Sequence, residues 1–491
     1  MSKRIHVYIE WTVLALGIAG MSAVVADAPL TWAHLRNGLS LTGLAARSPI
    51  GTPIPGTVDS SPLQWLLDAS TAVSYSLGGT VLLTALCWVL TSAACLAAVA
   101  RRQHRGLLFT AAAALAVAPA LHPFLGAQGS GVSFICGLAL FGILDCWDRA
   151  DSKWIWALPV LFLVWSWCSP LAIPALLFPV LSLLLPRTHP TSRRALLIFL
   201  AAVLLSIAAT CAPPAGFHGW SGVLFPVANP QGTNIVFGGA SPDFHTWELR
   251  AVEVITSLFA AALGFRANRT LRITGLFICC IVLVFQAVEF LVLLAAFMIP
   301  LYGTVMMDSI QSLSDAFPTL RNLRSRMAHR LATAGTWSVR AAVGLGGLLL
   351  VGEMLPVSTA VNADLPLAAI RTANAVLPRG TVLYTPLPWA SGAAVSYTKG
   401  TVLFTGDATT FTTRELEDYD TIHLVESSWK STIERLHIGA AIIPIQSQEA
   451  SLFSLLGWNV VCRNGIQGTE LVQAPFAEAG TSTPVKTACQ S

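Results

Sequence analysis

This sequence predicts a polytopic α-helical membrane protein that carries a small soluble α/β domain at its C-terminus. Three observations predict it. Eleven strongly apolar stretches run through the first 356 residues. The chain is 54% hydrophobic and only 11% charged, whereas a soluble domain carries about 25% charged residues. Lipid must therefore be the solvent for most of it. After about Asn362 the apolar runs shorten to strand length and alternate with water-compatible sequence. The expected organisation is a membrane helix bundle over 1–360, an extracytoplasmic α/β domain over 361–476 and a disordered tail over 477–491.

A helix crosses a bilayer with about 20 apolar residues. The expected spans are 8–26, 79–100, 107–124, 131–147, 154–168, 171–186, 195–212, 250–265, 273–287, 289–306 and 341–357. Positive charge orients them. With the N-terminus inside, the cytoplasmic segments hold eighteen Lys and Arg, among them Lys3, Arg101, Arg149, Arg193, Arg269 and Arg324. The outer loops and outer helix ends hold only Arg36, Arg47 and Arg250. Such a bias sets orientation, because cytoplasmic loops retain Lys and Arg. Eleven crossings then put the C-terminal domain outside. A second reading of the first span is a signal peptide cleaved before Asp27, which leaves the rest of the topology unchanged. The net charge of +4 gives no sign of nucleic-acid binding. Eight of the ten Cys lie in or beside apolar stretches without metal-ligand spacing. They read as small packing residues. Cys462 and Cys489 lie in the soluble part, and their pairing stays open.

Two outer loops are long, 27–78 and 213–249. Long polar loops on a compact scaffold commonly carry function. In the first, Asp27 stands where the first span meets the outer surface. A carboxylate held there by a helix end has the placement of a general base. His34 and Arg36 follow, and both can bind phosphate, Arg with a planar set of donors. The bland alternative is that Asp27 ends the helix and Arg36 meets lipid head groups. Residues 62–77 read as a helix lying flat at the interface. In the second loop His218, Asp243, His245 and Glu248 offer oxygen and imidazole ligands to a divalent metal, with Arg250 at the loop's end. Their spacing matches no specific ligand motif, so no cofactor is fixed by the residues. A polar loop anchored by interfacial Trp explains them equally well.

In the C-terminal domain, strands are expected at 380–386, 400–406, 440–445, 459–464 and 469–474. Helices are expected at 412–425, 428–437 and 451–457. Short β-prone runs alternating with helices indicate an α/β fold. No glycine-rich phosphate fingerprint, HExxH or nucleophile elbow is present.

These residues resemble the bacterial multi-spanning proteins placed near the membrane-embedded C-type glycosyltransferases. The likeness starts at Asp27-Ala28-Pro29 and runs through Trp32-Ala33-His34-Leu35 to Gly38, followed by Asp59 and Trp65-Leu66. It continues in the tail at Trp389-Ala390-Ser391-Gly392, Asp407, Glu417-Asp418-Tyr419 and Gly457-Trp458. It departs at Trp165-Ser166-Trp167-Cys168-Ser169-Pro170, where relatives often carry an Asn and a His. It departs again after Asp407-Ala408, where Thr409 and Thr410 stand in place of an Arg. The resemblance implies sugar transfer from a polyprenyl-phosphate donor at the outer face of the bacterial inner membrane. Asp27 would be the base, and Arg36 with His34 would hold the lipid phosphate. Some relatives use a divalent metal. The partners implied are membrane lipid and the lipid-linked sugar, with no nucleic acid.

Three readings of activity follow. One is a lipid-linked sugar transferase. The second is a non-catalytic relative whose outer domain binds glycan or partners in envelope assembly, which the missing Asn and His favour. The third is a transporter of lipid-linked glycans. The chain shows no internal repeat and its candidate charges cluster at the outer edge, which weighs against transport.

Overall fold

Each apolar stretch carries helix. The computed structural model describes residues 2–23, 34–35, 37–38, 64–102, 106–148, 152–186, 192–213, 220, 242, 244–265, 271–317, 336–352, 365–404, 413–465, 468–475 and 487–489. The chain divides into two units. One comprises Met1–Val24, Thr84–Leu224 and Gly238–Leu355, the other Val25–Leu83, Phe225–Phe237 and Pro356–Ser491.

The helices of the apolar stretches are α1 (Ser2–Met21), α2 (Trp65–Arg102), α3 (Leu107–Leu121), α4 (Gly129–Asp148), α5 (Ala157–Ser166), α6 (Leu177–Leu184), α7 (Arg193–Thr210), α8 (Trp247–Phe265), α9 (Leu271–Gln286), α10 (Leu291–Ala316) and α11 (Thr336–Gly352). Among the described residues, five helices are long and apolar enough to cross a membrane: Val81–Arg101, Leu107–Phe124, Gly129–Asp148, Arg193–Thr210 and Val288–Ala316. Shorter apolar helices accompany them, Tyr8–Met21 and Leu271–Gln286 among others. Leu86, Val89 and Leu90 on α2 and Leu197, Leu204 and Leu205 on α7 are exposed. Large apolar side chains in contiguous rows on the outside of a helical bundle indicate lipid as their solvent. The protein is a multi-pass membrane protein.

Small residues set the helix crossings, because tight backbone contact is the main attraction between helices in lipid. Gly17 on α1 lies over Ala111 on α3, and Gly20 meets the backbone of Gly347 on α11. A Cβ on Gly106, just ahead of α3, would run into the backbone of Gly303 on α10. That crossing also carries a 3.2 Å bond from the Gly303 N–H to the Thr110 hydroxyl. Ion pairs also join helices of the bundle. Arg272 on α9 reaches Asp148 on α4 at 2.9 Å, and Arg340 on α11 reaches Glu10 on α1 at 2.9 Å.

The α/β unit holds α12 (Leu367–Val376), β1 (Thr381–Tyr384), α13 (Leu387–Ser396), β2 (Gly400–Val402), α14 (Thr413–His423), α15 (Trp429–Arg435), β3 (Ile438–Pro444), α16 (Gln448–Leu455), β4 (Asn459–Asn464), β5 (Thr469–Gln473) and β6 (Thr487–Ala488). The sheet runs in the order β2-β1-β3-β5-β4-β6. β1 is parallel to β2 and β3. β5 is antiparallel to β3 and β4. Successive residues point to opposite faces, so Leu383, Ala440 and Ile442 pack on one side with Ala390 and Ala393 of α13. Tyr384, Ala441 and Ile443 pack on the other with Tyr419, Ile433 and Phe453.

The expected strands and the helices α14 and α15 lie where the sequence places them, though the strand expected over 400–406 ends at Val402 and residues 405–406 fall outside the described residues. The helix expected at 451–457 starts earlier, at Gln448, because Ser447 caps it by accepting from the Ala450 N–H at 3.1 Å. α13 escapes sequence reading because Ser391-Gly392 in its interior are poor helix formers, while Pro386 and Pro388 sit at its start, where proline is tolerated. Burial of Ala390 and Ala393 against the sheet overrides that local preference.

The disordered tail expected over 477–491 needs one correction. Thr487 and Ala488 form β6, paired with Cys462 and Arg463 of β4, and Cys489 is disulfide-bonded to Cys462. The cross-link closes a loop of sequence separation 27 and anchors this short strand to the sheet. Removing it with Cys462→Ser should destabilise the unit by about 3 kcal/mol, the entropy of closing a loop of that size. A lowered midpoint in denaturant unfolding of the purified protein checks this.

Candidate functional site

A buried acid–imidazole pair stands between α1 and the start of α2. His34, Leu35, Asn37 and Gly38 are helical, and Leu35 is buried. This turn lies directly on the first turn of α2. A Cβ on Gly38 would collide with the backbone carbonyl of Asp68, so only glycine permits the approach. There the His34 Nδ1 meets the Asp68 Oδ1 at 2.7 Å, and the two side chains are 7% and 1% exposed. Burial raises the Asp68 carboxyl above its ordinary range, while hydrogen bonds from His34 and Asn37 hold it down. The positive end of α2 also favours a carboxylate in its first turn. An ionised Asp68 can only accept, so in that state Nδ1 carries the proton and the imidazole has one orientation.

Beyond this turn α2 presents Trp65, Leu66, Val73 and Leu77 outward and buries Asp68, Thr71 and Ala72. The apolar face is the exposed one, as in a helix lying on lipid. The helix breaks at Gly78 and Gly79 before the span Val81–Arg101. Gly79 has φ 62° and ψ −157°, a region open essentially to glycine alone.

Of the residues singled out from sequence, Asp27, Arg36, His218 and Asp243 lie outside the described residues. His34 is placed, with Nδ1 committed to Asp68. His245, Glu248 and Arg250 belong to the helical unit. His245 is exposed in the turn before α8, Glu248 is in its first turn, and the Arg250 Nε donates to the Phe244 carbonyl at 3.2 Å. Among the described residues no three His, Cys, Asp or Glu gather as a metal site. Asp68 was missed. Its signal in the sequence is a lone carboxylate one turn into the apolar segment Trp65-Leu66-Leu67.

The segment Trp165–Pro170 closes a network inside the helical unit. The Trp165 Nε1–H donates to the Ser133 hydroxyl at 2.8 Å, and the Ser133 and Ser169 hydroxyls are 2.9 Å apart. All three residues are buried. These groups satisfy one another and tie α4 to the end of α5.

A second acid–imidazole pair occurs in the α/β unit. The His423 Nδ1 lies 2.7 Å from the Glu449 Oε1, and the ring stacks on Tyr419 with centroids 5.2 Å apart. The hydrogen bond to Glu449 raises the His423 pKa, with Asp420 contributing. Burial works to raise the Glu449 carboxyl, but His423 and its other donors leave it below the usual value. A raised imidazole contributes stability that is fully present below its unfolded pKa of about 6.5 and is lost as pH climbs through the folded value. A lowered carboxyl contributes stability that is lost as pH falls below about 4.5. Stability from this pair should therefore be greatest between about pH 4.5 and 6.5. His423→Gln should flatten the decline above that window in melting temperatures recorded from pH 5 to 8.

No protein-family model matches the chain, and no curated protein matches it. Solved structures do. The crystal structure of ArnT from Cupriavidus metallidurans bound to undecaprenyl phosphate superposes with a TM-score of 0.53 at 15% identity, over 98% of this chain and 100% of that one. The same protein in the apo state gives 0.53 at 16% identity with the same coverage. The chain thus has an ArnT-like fold along its length.

Proposed function

We propose that this protein transfers a sugar from a polyprenyl-phosphate donor to an acceptor hydroxyl at the outer face of a bacterial inner membrane. The observation that carries the reading is the full-length likeness to a membrane protein whose structure holds undecaprenyl phosphate. The charge asymmetry of the loops supports an inside N-terminus. The Cys462–Cys489 disulfide supports an outside C-terminal unit, since such bonds persist in oxidising compartments.

In the proposed reaction Asp27 accepts the proton of the acceptor hydroxyl. The acceptor oxygen bonds to the anomeric carbon, and the bond from that carbon to the phosphate oxygen breaks. Polyprenyl phosphate leaves with the electron pair. Arg36 neutralises the growing phosphate charge, and the imidazolium form of His34, which donates from both ring nitrogens, adds a contact through Nε2–H while Nδ1–H stays on Asp68. Asp68 positions His34 and does not touch the reacting atoms. Asp243, His245 and Glu248 are the residues that would hold a divalent metal, and no step depends on one.

The non-catalytic reading draws on one observation, the Ser133–Trp165–Ser169 network where relatives carry Asn and His. The test separates the two. In nanodiscs the wild type should bind undecaprenyl phosphate saturably and bind the uncharged alcohol far more weakly. Arg36→Ala should weaken binding about tenfold, the value of one charge-assisted contact. Equal affinity for phosphate and alcohol would overturn the phosphate assignment. Binding without sugar transfer would favour the non-catalytic relative.

A further inference from the structure

The α/β unit contains a topological switch point that the membrane chemistry does not use. β1 is flanked by β2 on one side and β3 on the other, all parallel. The chain leaves β1 through α13 on the Leu383 face, and leaves β2 through α14 and α15 on the Tyr384 face. The helices therefore diverge above the carboxyl ends of β1 and β3. In open α/β sheets, ligands bind in the crevice at that place.

Polar groups lie at these strand ends. The residues closing β1 are Tyr384 and Thr385, both fully buried. Neither hydroxyl has a hydrogen-bond partner among the described residues. A buried hydroxyl without a partner is costly and rare. α14 passes over both strand ends: the Tyr419 hydroxyl accepts from the Leu387 N–H just after β1 at 3.4 Å, and His423 holds Glu449 just after β3 at 2.7 Å. Glu449 is buried, whereas the His423 side chain is 43% exposed. The cluster thus reaches solvent through the imidazole, whose Nε2 has no partner among the described residues. Phe404 stands edge-on to Tyr419 at 5.4 Å and to Tyr384 at 6.2 Å.

The chemistry selects a class of ligand. Two unpaired hydroxyls call for donors and acceptors at short range. The Tyr419 and Phe404 rings offer apolar faces to C–H groups. The His423–Glu449 pair has no net charge when both partners are ionised. Glu417 and Asp420 on α14 disfavour anions. We propose that the carboxyl ends of β1 and β3 form a second ligand site, for a neutral saccharide, in which Tyr384, Thr385 and the His423–Glu449 pair hydrogen-bond the sugar hydroxyls. It lies within the α/β unit and stands independently of the proposed transfer reaction.

The experiment is saturation-transfer NMR on the full-length protein in nanodiscs. The probes are methyl glucoside, methyl mannoside, arabinose and N-acetylglucosamine, with glucose 1-phosphate as the anionic comparison. At least one neutral probe should bind saturably. Tyr384→Phe and Glu449→Gln should each weaken it about tenfold, the loss of one hydrogen bond. Arg371→Ala, exposed on α12 in the same unit, should leave it unchanged. The melting temperature of Tyr384→Phe should hold or rise, because the variant removes an unpartnered buried hydroxyl. A purely structural tyrosine would instead lower it. No saturable binding of a neutral probe, binding by glucose 1-phosphate alone, or wild-type affinity in both Tyr384→Phe and Glu449→Gln would overturn the proposal.

Discussion

Asp27→Asn will lower sugar transfer by about a thousandfold, within the range spanned by general acid–base catalysis. The change keeps the size and polarity of the side chain and removes its ability to take a proton. Under the proposed reaction the acceptor oxygen must lose its proton as it attacks. An amide cannot accept it, so the rate falls to what water and phosphate stabilisation supply. Undecaprenyl phosphate affinity should stay near wild type, because the proposed reaction assigns the phosphate to Arg36 and His34 rather than to Asp27. The measurement is single-turnover transfer in nanodiscs beside a lipid-phosphate binding curve on the same preparation. Wild-type turnover by the variant would remove Asp27 from the mechanism.

Asp68→Ala will destabilise the protein by about 3 kcal/mol. The loss comes from His34, which the substitution leaves buried without its 2.7 Å partner. Asp68→Asn should cost less. An amide oxygen still accepts from the His34 Nδ1–H, and a neutral side chain avoids the burial penalty that raises the Asp68 carboxyl. His34→Ala should cost about as much as Asp68→Ala, and the double variant less than their sum, with coupling of about 1–3 kcal/mol. Denaturant unfolding of the four proteins closes the cycle. Strict additivity would show that the two side chains do not depend on each other. A positioning role predicts one further result: in Asp68→Asn, the affinity for undecaprenyl phosphate should fall more than stability does.

The two carboxylates differed in how they could be read. Asp27 stands out because it follows an apolar run where the sequence predicts a membrane span to end. Asp68 sits inside an apolar helix and announces nothing until its partner, 34 residues earlier, is in place. Helical periodicity relates residues three or four apart, and no local rule links His34 to Asp68. The glycine at position 38 is the hinge of that meeting, and its necessity shows only against the Asp68 carbonyl. Cys462 and Cys489 show the same limit. Spacing left their pairing open, and the β4–β6 register brought them together.

Composition and periodicity by themselves determined the membrane bundle, its eleven helical stretches and the alternating strands of the C-terminal unit. A bilayer accepts only long apolar helices, and a sheet buried on both faces writes itself as short β-prone runs. Those demands act residue by residue along the chain. Only the tertiary structure decided which groups face one another: His34 with Asp68, Ser133 with Trp165 and Ser169, Tyr384 and Tyr419 each with Phe404, His423 with Glu449. Such encounters are set by the crossing of elements distant in sequence, where close packing selects partners that local pattern leaves unspecified.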